Sequence, residues 1–261
     1  MIETLNNIQP VLIISLMAGF FTLESFIPQV THSRTRRRHT LRNLVIVLTC
    51  FTANGFAATW FVYWIAMIRE HSWGLLNVVR LEPIAGTVAG VVLIDLDSYV
   101  SHVLFHKVTW LWRVHRVHHS DIEMDSTSSL RVHPLETVVQ AMWRTVSFIL
   151  IGVPFPSFVI FYTIVLPLLF IQHANIRFPR WMEKSGGALF VFASWHRVHH
   201  SDEPRHTNSH YGNVLTVWDR VFGTSSRDAA IERLSFGLKE FRDDESQTVR
   251  SQLLLPFRSG K

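Results

Sequence analysis

The chain has 261 residues, a net charge of +5 and one cysteine, Cys50. Apolar residues make up 48% of it, charged residues 17%, and the mean hydropathy is +0.19. That balance excludes a disordered chain and a purely soluble domain, and one cysteine excludes a disulfide scaffold and a cysteine-ligated zinc or iron–sulfur site. In so apolar a chain the basic residues suit a membrane surface better than nucleic acid. The length allows one domain over residues 1–261.

The elements follow in chain order. Residues 1–7 lack the basic stretch of a cleavable leader. A first membrane helix is expected over about 8–27, with Glu24 as its one charge. A loop with Arg34, Arg36, Arg37, Arg38 and Arg42 leads to a second, uncharged helix over about 44–68. At 1.5 Å per residue that helix is about 37 Å long, enough to span. The third covers about 84–104 and carries Asp95 and Asp97. The run from Thr145 to Ile176 is uncharged, too long for one span, and interrupted by Gly152-Val-Pro-Phe-Pro156. It reads as a helical hairpin over 137–176, bent at the break. The arginine loop places that side of the membrane in the cytoplasm. Threading the remaining elements puts 105–136 and 177–261 there too. The expected fold is all-α: an integral, multi-pass membrane bundle with a cytoplasmic histidine-rich helical cap.

Fifteen histidines are clustered in the chain. His102-Val-Leu-Phe-His106 is HxxxH, and His115-Arg-Val-His118-His119 and His196-Arg-Val-His199-His200 are both HxxHH. Positions i, i+3 and i+4 of a helix share a face, so each motif presents its imidazoles together. Eight imidazoles exceed what one ion takes and suit two. The heptapeptide His-Arg-Val-His-His-Ser-Asp stands at 115–121 and again at 196–202, which suggests one task performed twice. His133 and His173 lie at the same depth as further candidate ligands, and His210 is a weaker one. His206 falls in the loop after the last motif. His32, His39 and His71 read as solvated loop residues. Asp95 and Asp97 precede His102 in an apolar helix and are candidates to accept a hydrogen bond from a ligand imidazole.

As a set these motifs resemble the fatty acid hydroxylase / sterol desaturase superfamily. Arg131-Val-His-Pro-Leu-Glu136 resembles its R-x-H-P-x-E stretch and His173-Ala-Asn-Ile176 its H-x-N element. Tyr211-Gly212 with Trp218-Asp-Arg-Val-Phe-Gly-Thr224 resembles its ending, although His210 stands where the family usually has Asn. The resemblance implies a membrane oxidoreductase with a non-haem centre of two iron ions. It implies dioxygen as co-substrate and hydroxylation or desaturation of a lipid or sterol-like C–H bond. It carries the metal ligands onto His102, His106, His115, His118, His119, His196, His199 and His200, with His173 and His133 in addition. Asp97, Asn175 and Asp219 are the expected supports behind these ligands. Sterol, fatty acyl, carotenoid and ether-lipid substrates all fit. The chain shows no dinucleotide-binding glycine motif and no cysteine cluster, so a separate ferredoxin, cytochrome or reductase is expected to supply electrons. Two other readings compete, a membrane metal transporter and a zinc-dependent membrane hydrolase. A transporter needs polar groups through the bilayer's depth, whereas here the motifs gather at one face.

Overall fold

The computed structural model describes residues 2–226 and 234–258, the side chains of 2–9 and 52 apart. Residues 227–233 and 259–261 of the expected cap lie outside this range. The architecture is an all-α membrane bundle, and extended pairing among the described residues is limited to three isolated bridges. Helix α1 is Ile2–Phe26, α2 Arg36–His71, α3 Leu75–Val79, α4 Pro83–Lys107, α5 Thr109–His119, α6 Pro134–Ile151 and α7 Phe155–His173. Five short helices follow: α8 Arg180–Leu189, α9 Ala193–His199, α10 Pro204–Thr207, α11 Val217–Val221 and α12 Val249–Leu254.

Local chemistry sets the boundaries. Glu82 caps α4 by accepting from the Ile84 and Ala85 amides, and Pro83 takes the first helical position, where no N–H is needed. The hairpin break falls at Gly152, which ends α6 in the left-handed region (φ +73) before Pro154 opens α7. By length and composition α4 and α7 can each cross a membrane. The long α2 bends by 41° between Phe51 and Ala53, and the limb before the bend meets the same test only together with the limb after it, which runs on through α3 to Val79. Exposed Met142, Val146 and Leu150 form an apolar stripe on α6, as Ile84 and Val88 do on α4. The core between α2, α4, α6 and α7 is built from Phe61, Ile65, Ile68, Ile94, Phe148 and Phe161.

At the end of the bundle remote from the clustered histidines of 102–200, Gly74 (φ +90) lies against Gly152 so closely that a Cβ on Gly74 would stand 2.2 Å from the Gly152 nitrogen. Gly74→Ala is therefore expected to cost about 1–3 kcal/mol in backbone strain and more in displaced backbone. Denaturant unfolding of the purified variant checks this, and Gly19→Ala, where a Cβ meets nothing within 4 Å, is the control.

The arginine segment differs from expectation. His39 is not a solvated loop residue: it closes the first turn of α2, 6% exposed, with Nε2 2.7 Å from Asp121 and Nδ1 3.4 Å from Asp125. The helix begins at Arg36, earlier than the apolar run suggests, and turns His39 and Asn43 inward together. Glu24, the lone charge of α1, is fully buried and accepts from the amides of Ser126 and Asn175. These contacts tie α1 to both loops that flank the histidine cluster.

Candidate metal centre

Three segments converge at the polar end of the bundle. The last turns of α4 carry His102 and His106, and the chain reverses through Val108 alone into α5, which carries His115, His118 and His119. Helix α9 carries His196 and His199, with His200 at its end, and the last residue of α7 is His173.

These nine imidazoles form two groups. His102, His106, His115, His119 and His199 make one, and His118, His173, His196 and His200 the other; within each, the candidate ligand atoms lie within 4.8 Å of one another. The repeated motif therefore does not serve one ion as a block. Its i and i+4 histidines enter one group and its i+3 histidine crosses to the other, so His118 faces the ligands of α9 and His199 those of α4 and α5. The cause is helical geometry: i+4 lies about 40° past i, while i+3 lies about 60° short of it, so the two are about 100° apart.

Five of the nine rings are fixed from behind. The Nδ1–H of His102 donates to Tyr211 O (2.9 Å), that of His118 to Arg131 O (3.1 Å), that of His173 to Leu169 O (2.8 Å) and that of His199 to Ser209 O (2.7 Å). His115 Nδ1 donates instead to the Glu136 carboxylate at 2.7 Å. A neutral imidazole that donates from Nδ1 presents a bare lone pair at Nε2. The Nε2 atoms of His102 and His199 then face each other at 3.0 Å, and those of His118 and His173 at 3.2 Å. Facing lone pairs repel unless a cation lies between them. Nε2 of His106 and His115 and both ring nitrogens of His119 are buried with no hydrogen-bond partner, a costly state that a metal relieves. Burial first, then the neighbouring imidazoles, holds His118, His119, His196, His199 and His200 well below the ordinary histidine value. They are neutral, the form that binds metal.

The other expected residues stand outside both groups. His133 caps α6, its Nδ1 accepting from the Leu135 amide and its Nε2 donating to Leu253 O. His210 adopts φ +57 and accepts from the Ser226 amide, and His206 is buried apart. Asp95 accepts from the amides of Val214 and Leu215 and from Trp218 Nε1, which anchors the returning chain to α4. Asp97 accepts from Trp143 Nε1 (2.8 Å), not from an imidazole. Asn175 pairs with the backbone of Val30. Asp219 accepts from the amides of Tyr211 and Gly212, and so holds the carbonyl that orients His102. Sequence reasoning did not single out Glu136 or Trp112. Trp112 packs 4.9 Å from His106 and 5.4 Å from His119, ring centre to ring centre.

Comparison with known proteins agrees with this geometry. The sequence profile described as fatty acid hydroxylase matches residues 87–224. Ornithine lipid hydroxylase OlsE of Rhizobium tropici is 28% identical over 139 residues, 52% of this chain and 40% of that protein. Alkylglycerol monooxygenase of Caenorhabditis elegans is 25% identical over 192 residues, 72% of this chain and 36% of that protein. Human cholesterol 25-hydroxylase is 28% identical over 135 residues, 51% of this chain and 48% of that protein. Each match covers less than half of the relative's own length. No solved structure matches. The profile takes in His102 through Thr224, the stretch that supplies every histidine of both groups, and it spans more than half of the sequence: the chain belongs to the fatty acid hydroxylase family.

Proposed function

We propose that the protein is a membrane-bound oxygenase that holds two iron ions and hydroxylates a C–H bond of a lipid or sterol-like substrate. The observation that carries this reading is the pair of buried, neutral, all-imidazole groups with lone pairs turned inward. Donor sets of five and of four imidazoles would hold one ion each, and all-nitrogen sets of this kind suit iron among the metals that take imidazole. Bound iron supplies the reduction of dioxygen and the cleavage of the C–H bond. The balance is one substrate C–H, one dioxygen, two electrons and two protons giving one alcohol and one water. Bonds to carbonyls and to Glu136 fix the orientations of His102, His115, His118, His173 and His199, so these ligands need not reorganise during turnover. Burial of the histidines excludes bulk water, and the apolar faces of α4 and α6 give a lipid chain a route that never leaves the hydrocarbon. The arginines at the start of α2 support a cytoplasmic site, reached there by a separate electron donor.

The test is iron loading followed by turnover. After anaerobic addition of ferrous iron, about two irons per chain are expected, because one ion seldom takes more than about four to six protein ligands. Oxygen uptake should then begin on adding reductant and a lipid mixture, with an alcohol formed for each pair of electrons. Oxygen uptake that no lipid or sterol stimulates, or one iron per chain, would sink the reading.

A further inference from the structure

We propose that Glu136 makes the two ions unequal: its carboxylate, set behind His115, strengthens the five-histidine group alone as a metal site. The proposal rests on the two-metal reading above. Four histidines, two in each group, turn Nδ1 to neutral backbone carbonyls, and His115 alone turns it to a carboxylate. Glu136 is 1% exposed. Gln140 Nε2 donates to the same oxygen that His115 uses, and the other oxygen is buried without a partner. No Lys or Arg among the described residues forms an ion pair with it. Its negative charge is placed where it is tolerated, in the first turn of α6, at the positive end of that helix's dipole. Among the described residues none of the four histidines of the other group donates to a carboxylate.

The physical consequence follows from the hydrogen bond. An anionic acceptor draws the Nδ1 proton more strongly than an amide carbonyl, which raises electron density at Nε2 and with it the ligand's basicity. The five-histidine group should then bind a divalent ion more tightly, and its ion should be the easier of the two to oxidise. Glu136 acts through His115 and is a positioning residue.

Cobalt(II) titration of the metal-free full-length protein in detergent tests this without activity, read by the visible absorption of the bound ion. His199→Ala identifies the phase that belongs to the five-histidine group and His118→Ala the phase of the other. Glu136→Gln keeps size and an acceptor oxygen and removes only the charge. It should weaken the His199-dependent phase by about 10–100-fold, leaving the His118-dependent phase and the metal-free thermal midpoint unchanged. An unaltered titration, equal weakening of both phases, or weakening of the His118-dependent phase alone would overturn the proposal. If Glu136→Gln lowers the metal-free midpoint, Glu136→Asp decides: return of the tight phase supports the charge, and no return overturns it. A wild type that binds no cobalt defeats the two-metal reading itself, and the proposal with it.

Discussion

His118→Ala and His199→Ala should each release one ion, and from opposite groups. The two residues hold the same place in the repeated heptapeptide, so a reading by motif predicts equivalent losses. The structure predicts complementary ones. His118 stands with His173, His196 and His200, and His199 with His102, His106, His115 and His119. Each variant should keep about one metal per chain, since the remaining group retains all its imidazoles. Turnover should fall by more than about 100-fold in both, because loss of a ligand exceeds the 10–100-fold typical of groups behind one. Metal content measured with product formation checks this. Loss of both ions from each variant would show that the groups are one coupled site.

His39→Ala is the second substitution with a large expected effect. Removing this ring takes a partner from the buried carboxylates of Asp121 and Asp125, of which Asp121 keeps Arg131 at 3.9 Å, and takes one contact from Asn43. Breaking a buried pair from one side costs about 3 kcal/mol or more. In a domain of this size that lowers the thermal midpoint by about 6–12 °C. Because Asp121 lies two residues beyond His119, metal retention should fall as well. His71→Ala, on the exposed last turn of the same helix, should stay within about 0.5 kcal/mol of wild type. A His39→Ala protein as stable as His71→Ala would show that the carboxylates are satisfied without it.

Much of the architecture was legible because it is written in local signals. The apolar run before His102, the Gly-Pro break at 152–156 and the i, i+3, i+4 histidine spacing each act within a few residues. The family resemblance rested on the histidine motifs with the stretches 131–136, 173–176 and 211–224, and agrees with the profile match. What was illegible depends on distant contacts. His39 meets Asp121 across 82 residues of sequence, and no periodicity foretells that. The crossing of His118 and His199 requires knowing that α5 and α9 face each other. Glu136 stood in a quoted motif, yet its spacing of 21 residues from His115 fits no helical or strand period. The repeat itself was legible only in part. Arg116 donates to the carbonyls of Leu255 and Arg258, whereas Arg197 donates to that of Ala174. The duplication thus extends to the histidines and not to what surrounds them.

The division of the histidines between distant segments would also make an ion bound in either group a cross-link. An ion in the five-histidine group joins α4 and α5 to His199, and an ion in the other joins His118 to His173, His196 and His200. The first link closes about eighty residues between His119 and His199, and the second closes two shorter loops, 55 residues from His118 to His173 and 23 from His173 to His196; the entropy lost on closure grows only slowly with length. Helices α6 and α7 lie wholly inside the first loop, and in the second link α7 ends on a ligand, His173. A chelator should therefore do more than stop turnover. It should cut the ties at both feet of the hairpin and make its connecting segments open to protease, while the helical shafts stay in place.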